Sequence, residues 1–223
     1  MTWKERFTSS VGKKLVMAFT GLFLISFLLI HVYLNAQIFL PDGKTKFLDG
    51  AHFMGTNMLT RILEIGLVAG FLLHIIQGLM LASKNRAKRT TRYAVSAGNA
   101  TSKWYSRSMG LLGTLVLLFL IMHTAHFWIP NRAHQFSTGE EIDLYERMRA
   151  IFSNPIVVVL YILGCISLCF HLVHGFYSAF QTLGLAKHRY KAMIRNVGIW
   201  FSIIICLVFA LMPIAFYFNI LLG

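Results

Sequence analysis

Two short segments concentrate the chemistry of this chain: HIIQG (74–78) and HLVHG (171–175), each a histidine with a glycine about one helical turn later. Two more histidines, His31 and His123, each follow a glycine (Gly21, Gly113) by ten residues. All four lie in apolar runs that reach the roughly 20 residues needed to cross a bilayer. An imidazole in hydrocarbon is costly and turns toward the interior of a bundle. A single one is accounted for by a hydrogen bond between helices; four at matched depths ask for more. From Lys14 to His31 is 17 residues and from Arg107 to His123 is 16, which puts both imidazoles roughly 25 Å from one face. From His74 to Lys84 is 10 residues and from His171 to Gln181 is also 10, or roughly 15 Å from that same face. One pair therefore belongs to an outer level and the other to an inner level.

Neutral imidazole nitrogens are metal ligands. A facing pair on opposed helices fills both axial positions of an iron porphyrin held edge-on between them. Iron so bound exchanges single electrons and offers no position for oxygen. Two hemes at two levels make an electron path across the membrane. Gly78 and Gly175 fit this, because a missing side chain lets a flat macrocycle approach. The competing account makes them ordinary small residues of helix contacts.

The elements that position these residues are apolar helices. The chain has 223 residues, of which 57% are hydrophobic and 13% charged, with mean hydropathy +0.64. Soluble domains carry about 25% charged residues. The missing charge is absent from five long runs, which predicts an all-α membrane bundle of five spans at about 15–40, 59–83, 108–129, 155–183 and 197–221, forming a single domain. The net charge of +13 does not indicate nucleic acid, because of where it sits. Segments 1–14, 84–107 and 184–195 hold 15 of the 21 Lys and Arg, while 41–64 and 130–154 hold the other 6 with 7 of the 8 acids. This asymmetry puts the N-terminus inside, and the basic face can attract anionic lipid.

Residues 1–14 read as an amphipathic inner arm, with Trp3 and Phe7 at headgroup level and Lys4, Arg6, Lys13 and Lys14 toward phosphate. The first run is too long for a signal-peptide core and reads as a retained span. Pro41, Asp42 and Gly43 end it, and the outer segment 41–58 reads as a loop containing His52. Lys84, Arg86, Lys88, Arg89 and Arg92 stop the second span. Pro130 ends the third, after Trp128 at the aromatic belt. EEIDLYERMRAIF (140–152) suggests a short surface helix. Pro155 opens the fourth span, and Pro213 predicts a kink in the fifth. Cys165, Cys169 and Cys206 all fall in apolar runs, which predicts small packing residues and no disulfide framework. A weak repeat runs through the chain: GLFLISFLLIH (21–31) resembles GTLVLLFLIMH (113–123), and HIIQG resembles HLVHG. The first two spans thus resemble the third and fourth.

The third and fourth spans each hold a second histidine, His126 and His174, three residues after the first. His123 and His171 satisfy the repeat. The spare pair can bond heme propionates or a quinone oxygen, or line a wet cavity. Glu64, near the outer end of the second span, is a candidate proton donor for a quinone site at the outer heme level, since partial desolvation raises a carboxyl pKa. The alternative is an ion pair with Arg61 at i−3. His126 and Trp128 are further candidates for that pocket.

The chain resembles the cytochrome b subunit of succinate dehydrogenase and fumarate reductase, specifically the five-helix, two-heme type. The resemblance covers nearly the whole chain. It is carried by SSVGKKLVMAFTG (9–21), LLIHVYLN (28–35), AHFM (51–54), LEI (63–65), HTAHFW (123–128) and, most specifically, FHLVHGFYSAFQTLG (170–184). It implies one axial ligand on each of the first four helices: His74 with His171 for the inner heme, His31 with His123 for the outer. It also implies a flavoprotein and an iron–sulfur subunit on the inner face, menaquinone as electron partner, and a bacterial cytoplasmic membrane. Some fumarate reductases of this family carry a glutamate two residues before the fourth-helix ligand, serving proton transfer. Here Cys169 stands in that place, leaving Glu64 as the one acid inside a span. Two other readings share some of the physics. The anchor of a hydrogenase or formate dehydrogenase would have the same histidine pairs and a different partner. A transporter using histidines to bind a transition metal would have broken helices and acids at mid-membrane, whereas here the acids lie almost all outside.

Overall fold

The computed structural model describes residues 9–87 and 104–221. The amphipathic arm ahead of Ser9 and most of the basic stretch after Lys84 lie outside the described residues. Every regular element among the described residues is helical. Helix α1 spans Ser10–Ala36, followed by a 3-10 turn at Gln37–Phe39; α2 spans Gly43–Thr56 and α3 Met58–Ala87. After the four-residue α4 (Trp104–Arg107) come α5 (Met109–His123), a π-helical segment (Thr124–Trp128) and α6 (Ile129–Thr138). Then α7 (Leu144–Phe152), α8 (Pro155–Thr182) and α9 (Lys191–Tyr217) complete the chain. Five helices are long and apolar enough to cross a membrane: α1, α3, the α5–π–α6 continuum, α8 and α9.

Caps account for where these helices begin. Ser9 Oγ accepts from Gly12 N at 3.0 Å to start α1. Asn154 Oδ1 accepts from Ile156 N at 2.9 Å, with Pro155 in the first turn of α8. Both satisfy amide groups that a helix start leaves without partners.

Three expectations are corrected. The segment 41–58 is not a loop: it folds as α2. Its entry needs Asp42 in the left-handed region (φ 55°) and a glycine at 43, where a Cβ would lie 2.6 Å from Ile38 O. Pro130 does not end the third span. Ile129 N–H bonds back five residues to Thr124 O, and the helix continues to Thr138. Proline has no N–H for the carbonyl four residues earlier, which is that of His126. Arg147 of α7 fills the gap, its Nε donating to His126 O at 3.0 Å. The segment 140–152 is more than a surface helix. In α7, Tyr145, Met148 and Phe152 share one face and are buried. Helix α9, for its part, begins earlier than expected and continues through a fully buried Pro213.

The first four spanning helices form a ring in chain order. Helix α1 packs on α3 and α8, and α5 packs on α3 and α8. Helices α1 and α5 are therefore diagonal partners, as are α3 and α8. Helix α9 stands outside the ring, against α8 and α1. At the end where α1 terminates, Ile38, Phe47, Tyr145, Met148, Phe152, Val158, Tyr161, Met212 and Phe216 make one buried cluster.

Candidate functional site

The ring of helices brings the four repeat histidines together in pairs across its diagonals. His74 of α3 faces His171 of α8 with ring centres 6.2 Å apart and planes at 69°. His31 of α1 faces His123 of α5 at 5.8 Å and 88°. Gly21 lies beside the first pair, ten residues before His31, so the two levels are about 15 Å apart along α1. The repeat is visible in three dimensions. A Cβ on Gly21 would meet His74 Cε1 at 3.6 Å, and one on Gly113 would meet His171 Cε1 at 3.6 Å. Phe27, four residues before His31, stacks on it at 5.2 Å, and Phe119, four before His123, stacks on that ring at 5.8 Å.

The arrangement can take a metal held between two imidazoles. Two metal–nitrogen bonds of about 2 Å each, with the short distance from each nitrogen to its ring centre, give a ring separation of about 6 Å. The donor chemistry also fits. His123 Nδ1 and His171 Nδ1 are buried without a hydrogen-bond partner among the described residues, and so is Gln77 Oε1 one turn beyond His74. Buried polar atoms in that condition are rare; with Nδ1 enclosed by protein, Nε2 is the nitrogen of each ring left to meet a metal. Among the described residues no three His, Cys, Asp or Glu side chains converge. Each pair thus offers two ligands, which suits a porphyrin, since the macrocycle supplies the other four. A Cβ on Gly175 would meet nothing within 4 Å, while one on Gly78 would come into ordinary contact with Met17 Cε at 3.9 Å.

The spare histidines are part-buried and sit differently. His126 lies in the π segment, stacked parallel to Tyr161 at 5.8 Å, with its Nδ1 2.9 Å from the phenol oxygen. His174 lies one turn past His171 on α8. His52 is exposed on α2 and pairs with Glu141 at 3.0 Å.

Glu64 is held more firmly than its sequence neighbourhood suggests. Arg61 Nη1 donates to Oε2 at 3.2 Å, as the i−3 spacing anticipates. Beyond that, Arg132 of α6 donates to both carboxylate oxygens, at 2.9 and 2.8 Å, and Trp128 Nε1 donates to Oε1 at 2.5 Å. Arg132 also bonds Gln135, whose amide donates to Gly55 O at 3.4 Å. Arg132 is not marked by the sequence, where Pro130 reads as the end of the helix. The signal available was a charged residue two positions past that proline, on a helix that does not stop.

Together these features define a multi-pass helical membrane protein with two levels of facing histidine pairs. Over 162 residues the chain is 27% identical to the succinate dehydrogenase cytochrome b558 subunit of Bacillus subtilis (strain 168), an alignment spanning 71% of this chain and 72% of that protein. The chain is thus similar to a succinate dehydrogenase cytochrome b subunit, in keeping with the motifs in its sequence. No family model and no solved structure matches it.

Proposed function

We propose that this chain is the membrane cytochrome b subunit of a succinate:quinone oxidoreductase in a bacterial cytoplasmic membrane. In this reading it holds two b-type hemes, the inner between His74 and His171 and the outer between His31 and His123. It connects an iron–sulfur subunit, itself joined to a flavoprotein, with menaquinone. The observation that carries the reading is the facing of two histidine pairs, at 6.2 and 5.8 Å, in a relative of a succinate dehydrogenase cytochrome b subunit.

When bound, the hemes supply one-electron transfer at two depths of the membrane. The chain's own residues do the rest. The four imidazoles would hold the two groups and keep other ligands from the iron. Gly78 and Gly175 would add no side chain against them. The basic segments face the cytoplasm and dock the iron–sulfur subunit there, leaving Glu64 at the outer face. Glu64 exchanges a proton with the quinone oxygens; Arg132, Arg61 and Trp128 fix its carboxylate until a quinone competes for those donors. His126 and His174, one turn beyond their respective ligands, offer further hydrogen bonds to propionate or quinone oxygen. An anchor for a hydrogenase or formate dehydrogenase would share the pairs, but the relative's name favours succinate.

Affinity purification of the intact complex through this chain tests the reading. Flavin and iron–sulfur centres should copurify, with succinate-driven reduction of a menaquinone analogue. A chain that copurifies instead with a hydrogenase or formate dehydrogenase, or with no redox partner, contradicts it.

A further inference from the structure

The two histidines of the inner pair are not equivalent, and the difference lies in Thr20. Its hydroxyl hydrogen is committed: Oγ1 donates to Val16 O at 2.8 Å, with Met17 O at 3.3 Å. The oxygen lies 3.2 Å from His74 Nδ1. With its hydrogen already given away, the hydroxyl can only accept there, so the imidazole proton sits on Nδ1. That tautomer leaves the Nε2 lone pair as the ring's one open coordination position. The repeat provides an internal comparison. Gly113 approaches His171 as Gly21 approaches His74, each with Cε1 at 3.6 Å from the position of a Cβ. The residue before Gly21 is Thr20, but the residue before Gly113 is Leu112, which is buried. A leucine has nothing to accept with, and His171 Nδ1 is buried and unpartnered among the described residues.

We propose that Thr20 is a positioning residue that fixes the tautomer of His74 and makes it the stronger donor of the inner pair, an interaction its repeat counterpart Leu112 cannot supply to His171. This rests on the two-heme reading above. A hydrogen bond accepted from a ligand's second nitrogen raises the basicity of the first and holds the ring's orientation. A more basic axial ligand favours oxidised over reduced iron, so the bond should lower the reduction potential of the inner heme only.

The test is a redox titration of the purified complex, followed in the visible spectrum, together with heme content per chain. Thr20→Val keeps the shape and removes the hydroxyl; Thr20→Ser keeps the hydroxyl and removes the methyl group. Thr20→Val should move one of the two reductive waves to higher potential, by on the order of tenfold in the reduction equilibrium, with an about tenfold weaker hold on that heme. Thr20→Ser should titrate like the wild type. Leu112→Thr should move the same wave the other way. If Thr20→Val titrates like the wild type with both hemes in place, or if serine rather than valine causes the shift, the inference is overturned and Thr20 is a packing residue. A wild-type protein without two b-type waves refutes the two-heme reading instead, so the two failures are distinguishable.

Discussion

The aromatic cap and the interior of the four-helix ring are built on different principles. Where α1 terminates, α2, α7, α8 and α9 converge on a dense cluster of aromatic and aliphatic side chains. Tyr145 meets Phe216 at 5.1 Å and Phe152 meets Tyr161 at 4.9 Å. Between α1, α3, α5 and α8 the interior is occupied by imidazoles, phenyl rings and glycines. In the most apolar stretches of α1, α3 and the third span, 6% of residues are buried, against 28% in α8 and 39% in α9. Few residues of three of the four histidine helices are fully enclosed by their neighbours. Full burial is concentrated in α8, α9 and the aromatic cap.

If that division is right, substitutions in the two regions should have separable effects. The largest effect should come from the histidine pairs. His74→Ala or His171→Ala should remove one heme, halve the b-type absorbance and lower succinate–quinone turnover on the order of 100-fold or more, beyond the 10- to 100-fold typical of supporting residues. His31→Ala or His123→Ala should remove the other heme. Heme content measured on each variant checks this, and retention of both hemes in any of the four breaks the pairing. Glu64→Gln should leave both hemes in place while slowing quinone reduction about 100-fold, as for loss of a proton-transfer group; turnover with quinone measured beside heme reduction by succinate separates the two steps. Phe152→Ala should act on the cap alone. It should cost about 3–5 kcal/mol of stability, read as a lowered melting temperature in detergent, with the absorption bands of the folded protein unmoved. Gly21→Leu should fall between the regions, forcing the His74 ring aside for about 1–3 kcal/mol of overpacking. Gly21→Ala, with Cε1 at 3.6 Å, should be tolerated, and heme retention on dilution distinguishes them.

The smallest effect belongs to the surface of the cap. Lys44 lies 2.6 Å from Glu146 and 3.5 Å from Asp143, and its pKa is raised, chiefly by the hydrogen bond to Glu146. Its contribution is full below the ordinary lysine pKa and is lost as pH rises through the raised value. Half-exposed pairs of this kind contribute little. Lys44→Ala should therefore lower the melting temperature slightly at neutral pH and not at all at strongly alkaline pH.

Much of this organisation was legible in the sequence, because hydrocarbon imposes a simple code. Length and missing charge mark the five spans, and counting residues from basic borders anticipates which histidines face each other. The weak GLFLISFLLIH and GTLVLLFLIMH repeat encodes more than it seems to. Its glycines border the opposite histidine pair, and its shared phenylalanine stacks on its own histidine. What could not be read depended on contacts distant in the chain. Pro130 looks like a terminator until Arg147 takes up the carbonyl it leaves free, that of His126, 21 residues before the arginine. Arg132 then lies on a helix rather than in a loop and reaches Glu64, 68 residues earlier. The amphipathic spacing of α7 is visible in the sequence, but what its apolar face covers is not. Thr20 is silent too: only the fold brings it against a histidine 54 residues on.

The central claim is that four imidazoles grip two iron porphyrins, and heme quantification with low-temperature spectroscopy of the purified wild-type protein tests it most directly. The account predicts two low-spin, bis-imidazole b hemes per chain, with no band attributable to an open or water-ligated iron. A colourless protein, a single heme, or iron with an open axial position would contradict it.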